Sequence, residues 1–332
     1  MKDMHGQRFG LGSVLAAFAL AACSSGATTP SAGSFTSSPL ALYSHGVAVR
    51  PDHQRSWLHV KRDVSKLLYV SDDSTDDVQV YDYPAGTLVG TLTGFATPGG
   101  LCVDPARHIL FVTNTDASNI YVFKFGATSP FEIIPDTGEY PVSCSIDPAN
   151  GHLAVANYET TGGTAGSISI YPPPFTTSTV YADPSMKHFY FVGYRPNGRL
   201  YADGINTGNT FQLDRFYALV FATMALTPGI TTPGNVQWSG TTLVVGDQTG
   251  NLFYRYTIAG LTGTAPPAST FTAACDVLQF FINGAGAKIV GPDNCGAPPN
   301  AYTYAFPAGG AAIAPFVTTA LVDPVGSAIL SP

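Results

Sequence analysis

Apolar and polar positions alternate along this chain in short runs, and one unit of that pattern keeps returning. Leu110–Phe123 shows it: a short apolar run, an Asn at its end, a polar loop, then a second run of alternating side chains. Period-two alternation bounded by turn residues is the signature of a strand. The first run, here termed a b strand, recurs at Tyr69–Asp72, Val112–Asn114, Val155–Asn157, Tyr201–Asp203, Val245–Asp247 and Val290–Asp293. Its polar end residues Asp72, Asn114, Asn157, Asp203, Asp247 and Asp293 are spaced by 42, 43, 46, 44 and 46 positions. Six copies at that period predict an all-β, six-bladed propeller with four-stranded antiparallel blades.

The remaining strands fall into place around the b strands. Alternating c strands follow each polar loop, as in Val78–Tyr83, Ile120–Phe125 and Leu252–Tyr256, and several end in Pro or Gly turns. Less regular outer strands come next, among them Leu88–Leu92, Phe131–Ile134 and Ser178–Ala182. Inner a strands then run over Pro98–Asp104, Pro141–Asp147, Lys187–Tyr194, Pro233–Trp238, Asp276–Ile282 and Pro324–Leu330. The first five lead through tight turns into the next b strand, as at Asp104-Pro105-Ala106-Arg107. The last has no b strand after it, and Leu67–Val70 has no Pro-led strand before it. Pro324–Leu330 is therefore expected to close the ring beside Leu67–Val70 and so remove two exposed edges. The competing arrangement uses Trp57–Val60 as the missing strand.

Val112-Thr113-Asn114, with its Pro-led a strand and Tyr/Val-rich c strand, resembles the YVTN/NHL/SMP-30-like β-propeller group. The resemblance covers roughly residues 65–330 and implies the propeller fold. That group includes enzymes, binding modules and scaffolds, so the fold implies no one activity.

Composition adds an address. Residues 1–22 begin with Lys2 and Arg8 and continue into an apolar stretch, Leu11–Ala22, too short to span a bilayer. The ending Leu20-Ala21-Ala22-Cys23 resembles a bacterial lipobox, which implies lipid on Cys23 as the first mature residue. Residues 23–55 then read as the lipidated Cys and a flexible linker rich in Ser, Thr, Gly and Pro. Residues 56–332 are the propeller. The 35 Gly and 26 Pro, with 19 of 22 acidic residues being Asp, suit turns rather than helices. Removing residues 1–22 leaves 13 basic and 21 acidic residues, a net charge of −8, which argues against a nucleic-acid partner. Arg50, Arg55, Lys61, Arg62 and Lys66 cluster before the first repeat, as a solvated face or a contact to headgroups.

The candidate chemistry sits at the ends of the b strands. Asp72, Asn114, Asn157, Asp203, Asp247 and Asp293 are placed together at one end of the ring, where oxygen ligands at a channel mouth suit Ca²⁺ or another divalent cation. The opposing reading is structural: Asn and Asp at strand ends satisfy backbone amides of their own loops. Resemblance to the lactonases of the SMP-30 group implies a metal-dependent hydrolase, whose metal site combines Glu with Asn and Asp. The only Glu residues here are Glu132, Glu139 and Glu159, and Glu139 is the one stand-in near an a strand. No Gly-x-Ser-x-Gly elbow and no His-Glu-x-x-His pair occurs. His108 and His152 occupy equivalent positions before b strands, which favours repeat inheritance over metal binding.

Four cysteines follow Cys23 in what is then an oxidising compartment. Cys275 and Cys295 flank antiparallel a and b strands of one blade and fall at the same end, so a Cys275–Cys295 bridge is the natural pairing. Cys102 and Cys144 lie in a strands of adjacent blades at opposite parity, so they either face each other or face apart; facing is expected. The chain reads as a monomeric, lipid-anchored, extracytoplasmic binding or scaffolding propeller of the bacterial envelope. Its loop face would meet a protein, glycan or small ligand, and no catalytic residue is assigned. The alternative is the metal-dependent hydrolase at the channel mouth.

Overall fold

The structure, a computed structural model, describes residues 55–61, 64–266, 270–272, 276–283, 288–295, 298–317, 319 and 321–332. The signal segment, Cys23, the linker to residue 54 and Cys275 lie outside the described residues. Six sheets form a ring of blades, each built on four antiparallel strands, a to d from the inside outward. Blade 2 is Pro98–Asp104, Ile109–Asn114, Asn119–Lys124 and Glu132–Pro135. Blade 3 is Glu139–Ile146, Leu153–Thr160, Ser167–Tyr171 and Thr179–Tyr181. Blade 4 is Met186–Tyr194, Leu200–Asn206, Phe211–Tyr217 and Val220–Thr223.

Blade 1 is built from both ends of the propeller. Pro324–Leu330 pairs with Leu67–Asp72 in the register Leu67↔Leu330 to Val70↔Ser327, so the C-terminal strand closes the ring. Trp57–Leu58 instead adds a fifth strand at the outer edge, against Thr91 and Gly90. In blade 5, Ala225–Thr227 pairs in parallel with Thr262–Thr264, and Thr270–Thr272 pairs with the c strand.

The b strands are apolar on consecutive residues because both of their faces are buried. Leu67 and Tyr69 point into a core shared with Leu101, Leu110 and Val112 of blade 2. Leu68 and Val70 point the other way, into a core with Val290 and Ala301 of blade 6. A strand packed on both sides by neighbouring blades has no solvent face to mark with polar residues. Aromatic rings fill the gaps: Phe111 meets Phe175 edge-on at 5.4 Å between centroids, and Phe253 meets Tyr304 at 5.1 Å.

One inner strand differs from its expected form. In place of a continuous strand over Asp276–Ile282, only Phe281–Ile282 pairs regularly, with a single bridge from Val277 to Asp293. The backbone between turns to the neighbouring blades. Gln279 N–H donates to Val325 O of blade 1, and Leu278 O accepts from Asn235 N–H of blade 5. Three-way bonding at the ring's centre replaces part of the blade's own ladder.

Candidate functional site

The b–c loops and d–a connections share one end of the ring, the upper end; the a–b and c–d turns form the lower end. The six strand-end residues are at the upper end, as their spacing predicts, and all six are buried. In three blades their side chains perform one repeated task. Asp72 accepts from Val322 and Asp323 N–H, Asn114 Oδ1 from Ala96 N–H, and Asp247 from Thr231 and Thr232 N–H. In each case the donors lie one or two residues before the Pro that opens the blade's inner strand. These side chains tie the incoming connection to the blade and point at backbone, much as an N-cap does for a helix. Asp203 accepts from Phe191 N–H at 3.1 Å, and complete burial raises its carboxyl well above the usual range.

The middle of the ring is filled. Gln279 reaches across to blade 2, where its Oε1 accepts from Leu101 N–H at 2.7 Å and its Nε2 donates to Leu101 O at 3.0 Å. It passes over Gly326, where a Cβ would lie 2.8 Å from its Oε1. A Cβ on Gly100 would lie 2.8 Å from Val142 O of blade 3, so glycine is what permits this closeness of inner strands. Asn235 Nδ2 adds a bond to Phe280 O at 2.6 Å. The sequence offered one sign of this plug: Gln279 is the single amide in the apolar run Val277–Ile282.

Two groups at the upper end break the six-fold repeat. The first joins blades 1 and 6. Asp73 is pushed up to about 9 by burial and then by the neighbouring Asp323 charge, and Asp77 is pushed up to about 7 by burial. Asp323 is raised as well, chiefly by burial, so the pair favours holding a proton between its two carboxyls. A carboxyl whose folded pKa is raised contributes stability at low pH and loses it as pH climbs through that value. Stability should therefore fall between about pH 4 and pH 9. Asp73→Asn keeps a neutral donor, so in thermal melts its midpoint should exceed wild type at pH 8, by roughly 2–4 °C per kcal/mol recovered. The two proteins should converge at pH 4.

The second group lies in blade 3, where Asn157 has no amide-capping role. Its Nδ2 donates to Ser167 and Ser169 Oγ. Asp136 Oδ1 accepts from Ser169 Oγ at 2.8 Å and Tyr171 Oη at 2.7 Å. Burial, followed by the nearby Asp136, raises Glu139 to about 7, and burial raises Asp136. Asp136 Oδ2, Glu139 Oε2 and Asn157 Oδ1 accept no hydrogen bond. At the next residue of the b strand, Tyr158, His188 of blade 4 stacks at 4.1 Å, and burial lowers the histidine's pKa. Asp136 and His188 carried no sequence signal, because one sits in an irregular connection and the other within an inner strand. Among the described residues no three His, Cys, Asp or Glu side chains gather as metal ligands.

Cys102 and Cys144 face each other and are bonded, with Cα atoms 5.6 Å apart. Cys295 is also disulfide-bonded. At the lower end a groove of about 360 Å³ opens between blades 3 and 4, walled by Tyr181, Tyr194, Leu200, Phe216 and Leu219. His152 lines this groove, and His108 Nδ1 lies 3.1 Å from Ser331 O, so the two equivalent histidines have different neighbours.

No family model and no curated protein matches the chain. A chain of the nidogen/laminin complex superimposes with a TM-score of 0.64 at 11% identity, over 80% of this chain and 98% of that one. A functionally unknown protein from Desulfotomaculum acetoxidans DSM 771 gives 0.57 at 10% identity, over 80% and 99%. At such identity the likeness is one of fold, and on that and on its six closed sheets the chain is a six-bladed β-propeller.

Proposed function

We propose that this protein is an envelope-anchored binding or scaffolding propeller of the YVTN/NHL-like kind, held by lipid on Cys23 and engaging a partner through its upper loops. The observation that supports it is the use of the strand-end residues: Asp72, Asn114 and Asp247 direct their oxygens at backbone amides, and Gln279 fills the centre. What is left for recognition at that end is the outer surface of the loops, where Asp116 is exposed. A propeller fold is compatible with such a role, and one structural neighbour is itself a chain of a protein complex. Anchoring is tested by Cys23→Ser, which should move the protein from the membrane pellet to the soluble fraction after a high-salt wash. Retention in the pellet would refute lipidation.

The hydrolase reading rests on blade 3, where Asp136, Glu139 and Asn157 each leave a buried oxygen without a donor and would suit a hard cation. The two readings part on metal content. A stoichiometric divalent ion that is lost on Glu139→Gln belongs to the hydrolase alone.

A further inference from the structure

We propose that the lower end of the propeller is a docking face for an anionic lipid surface. The cations of this net-acidic protein are sorted by end, while its acids occur at both: Asp82, Asp104, Glu132 and Asp147 share the lower end. Among the described residues, only Arg55 and Lys187 are cations at the upper end, which carries the acids of both groups above. Lys61, Lys66 and Lys124 lie at the lower end of blades 1 and 2, together with Arg107, which is paired with Asp104 at 2.9 Å. Arg195, Arg199 and Arg215 follow from blade 4, and Arg255 and Lys288 from blades 5 and 6. Lys66, Arg199 and Lys288 share one place in the repeat, at the start of a b strand, whereas Arg107 and Arg195 come from a–b turns and Lys124, Arg215 and Arg255 from c strands.

The same end carries the apolar groups an interface needs. Blade 4 turns from c to d through Ala218 and Leu219, both in the left-handed region at φ 52° and 66°. Leucine is a poor residue for that conformation, yet Leu219 stands 70% exposed at the tip, beside Val220 at 62%. Tyr217, Leu261 and Phe131 are exposed at the same end. Cations and rings are paired there: Arg199 lies 5.0 Å over Tyr217, and Lys124 4.6 Å over Phe131. Stacking on a ring leaves the cation its charge, and basic heads with amphipathic rings are what a headgroup layer accommodates.

Charge complementarity thus selects an anionic surface, and the exposed Leu219–Val220 tip selects lipid over a soluble polyanion. The proposal rests on the anchoring reading for bringing this face to a membrane, not for the face's own affinity. A linker spanning residues 23–55 reaches roughly 100 Å when extended, ample to let the propeller lie on this end.

The test uses the mature chain from Ser24, which lacks both the apolar leader and the lipid, floated with phosphatidylglycerol/phosphatidylcholine vesicles or phosphatidylcholine alone. Binding should be roughly tenfold or more stronger to the anionic vesicles and should vanish at high salt. Lys124→Glu with Arg199→Glu should weaken it about tenfold or more, while Lys187→Glu at the upper end leaves it unchanged. Leu219→Asn, which suits a left-handed turn, should weaken it several-fold without loss of thermal stability. Equal binding to neutral vesicles would overturn the proposal. So would equal loss from Lys187→Glu, or polyphosphate binding as tight as lipid with Leu219→Asn silent. Finding wild-type protein without lipid by mass spectrometry would remove the anchor and leave this result standing.

Discussion

Gln279→Leu is expected to lower the unfolding free energy by about 3–5 kcal/mol. Leucine matches the volume but leaves Leu101 N–H and C=O, both sealed in the ring's centre, without the partners that Gln279 supplies. An orphaned buried peptide group costs about 1–3 kcal/mol, and here there are two. Gln279 is 4% exposed, so water does not replace the lost bonds. Gln279→Glu provides a sharper form of the same test. At neutral pH it buries an ionised carboxylate against Leu101 O; once protonated, the same group donates to that oxygen. Burial raises the carboxyl's pKa, so the variant's stability is present at low pH and is lost as pH rises. Urea melts at pH 5 and pH 8 would show the difference. A Gln279→Leu midpoint equal to wild type would mean that the centre tolerates an open pair of peptide groups.

That one side chain also marks where the sequence stops being legible. The b strands, their period and the closure by Pro324–Leu330 are written in local pattern, since a strand buried on both faces must be apolar throughout and a Pro opens most inner strands. Closure was inferable by counting half-blades at the two ends. The break in the blade 6 inner strand was not, because its backbone pairs with Val325 and Asn235, partners tens of residues away. The strand-end ring was legible as a position, but its targets were not. Nothing near Asp72 announces that it caps amides 250 residues later. Blade 3 departs from the repeat through Asp136 and Ser169, short polar residues of the kind that fill any loop. The gathering of cations at the lower end was available once turns were assigned, because Arg107, Arg195 and Arg199 fall in or beside a–b turns; composition alone, at a net negative charge, pointed away from it.

The second large effect is expected from the disulfide. Removing both thiols in a Cys102→Ala/Cys144→Ala variant should cost about 4 kcal/mol, because the bond closes a loop with a sequence separation of 42 and restricts the unfolded chain accordingly. Little of that loss should come from packing. The two residues sit in the core between blades 2 and 3 with Phe111, Val122, Leu153 and Phe175, where each substitution removes only a sulfur. The inner strands of the two blades also touch through Gly100 and Val142 whether or not the sulfurs are joined. The variant should therefore fold to the same ring and unfold at lower denaturant. Either single substitution should cost nearly as much as the pair, since each breaks the same bond, so the double-mutant cycle should show strong coupling. Reductant should lower the wild-type midpoint more than that of the variant, in which the remaining response belongs to the bond at Cys295. Unfolding of the double variant at the wild-type midpoint would show that the native ring gains nothing from this link.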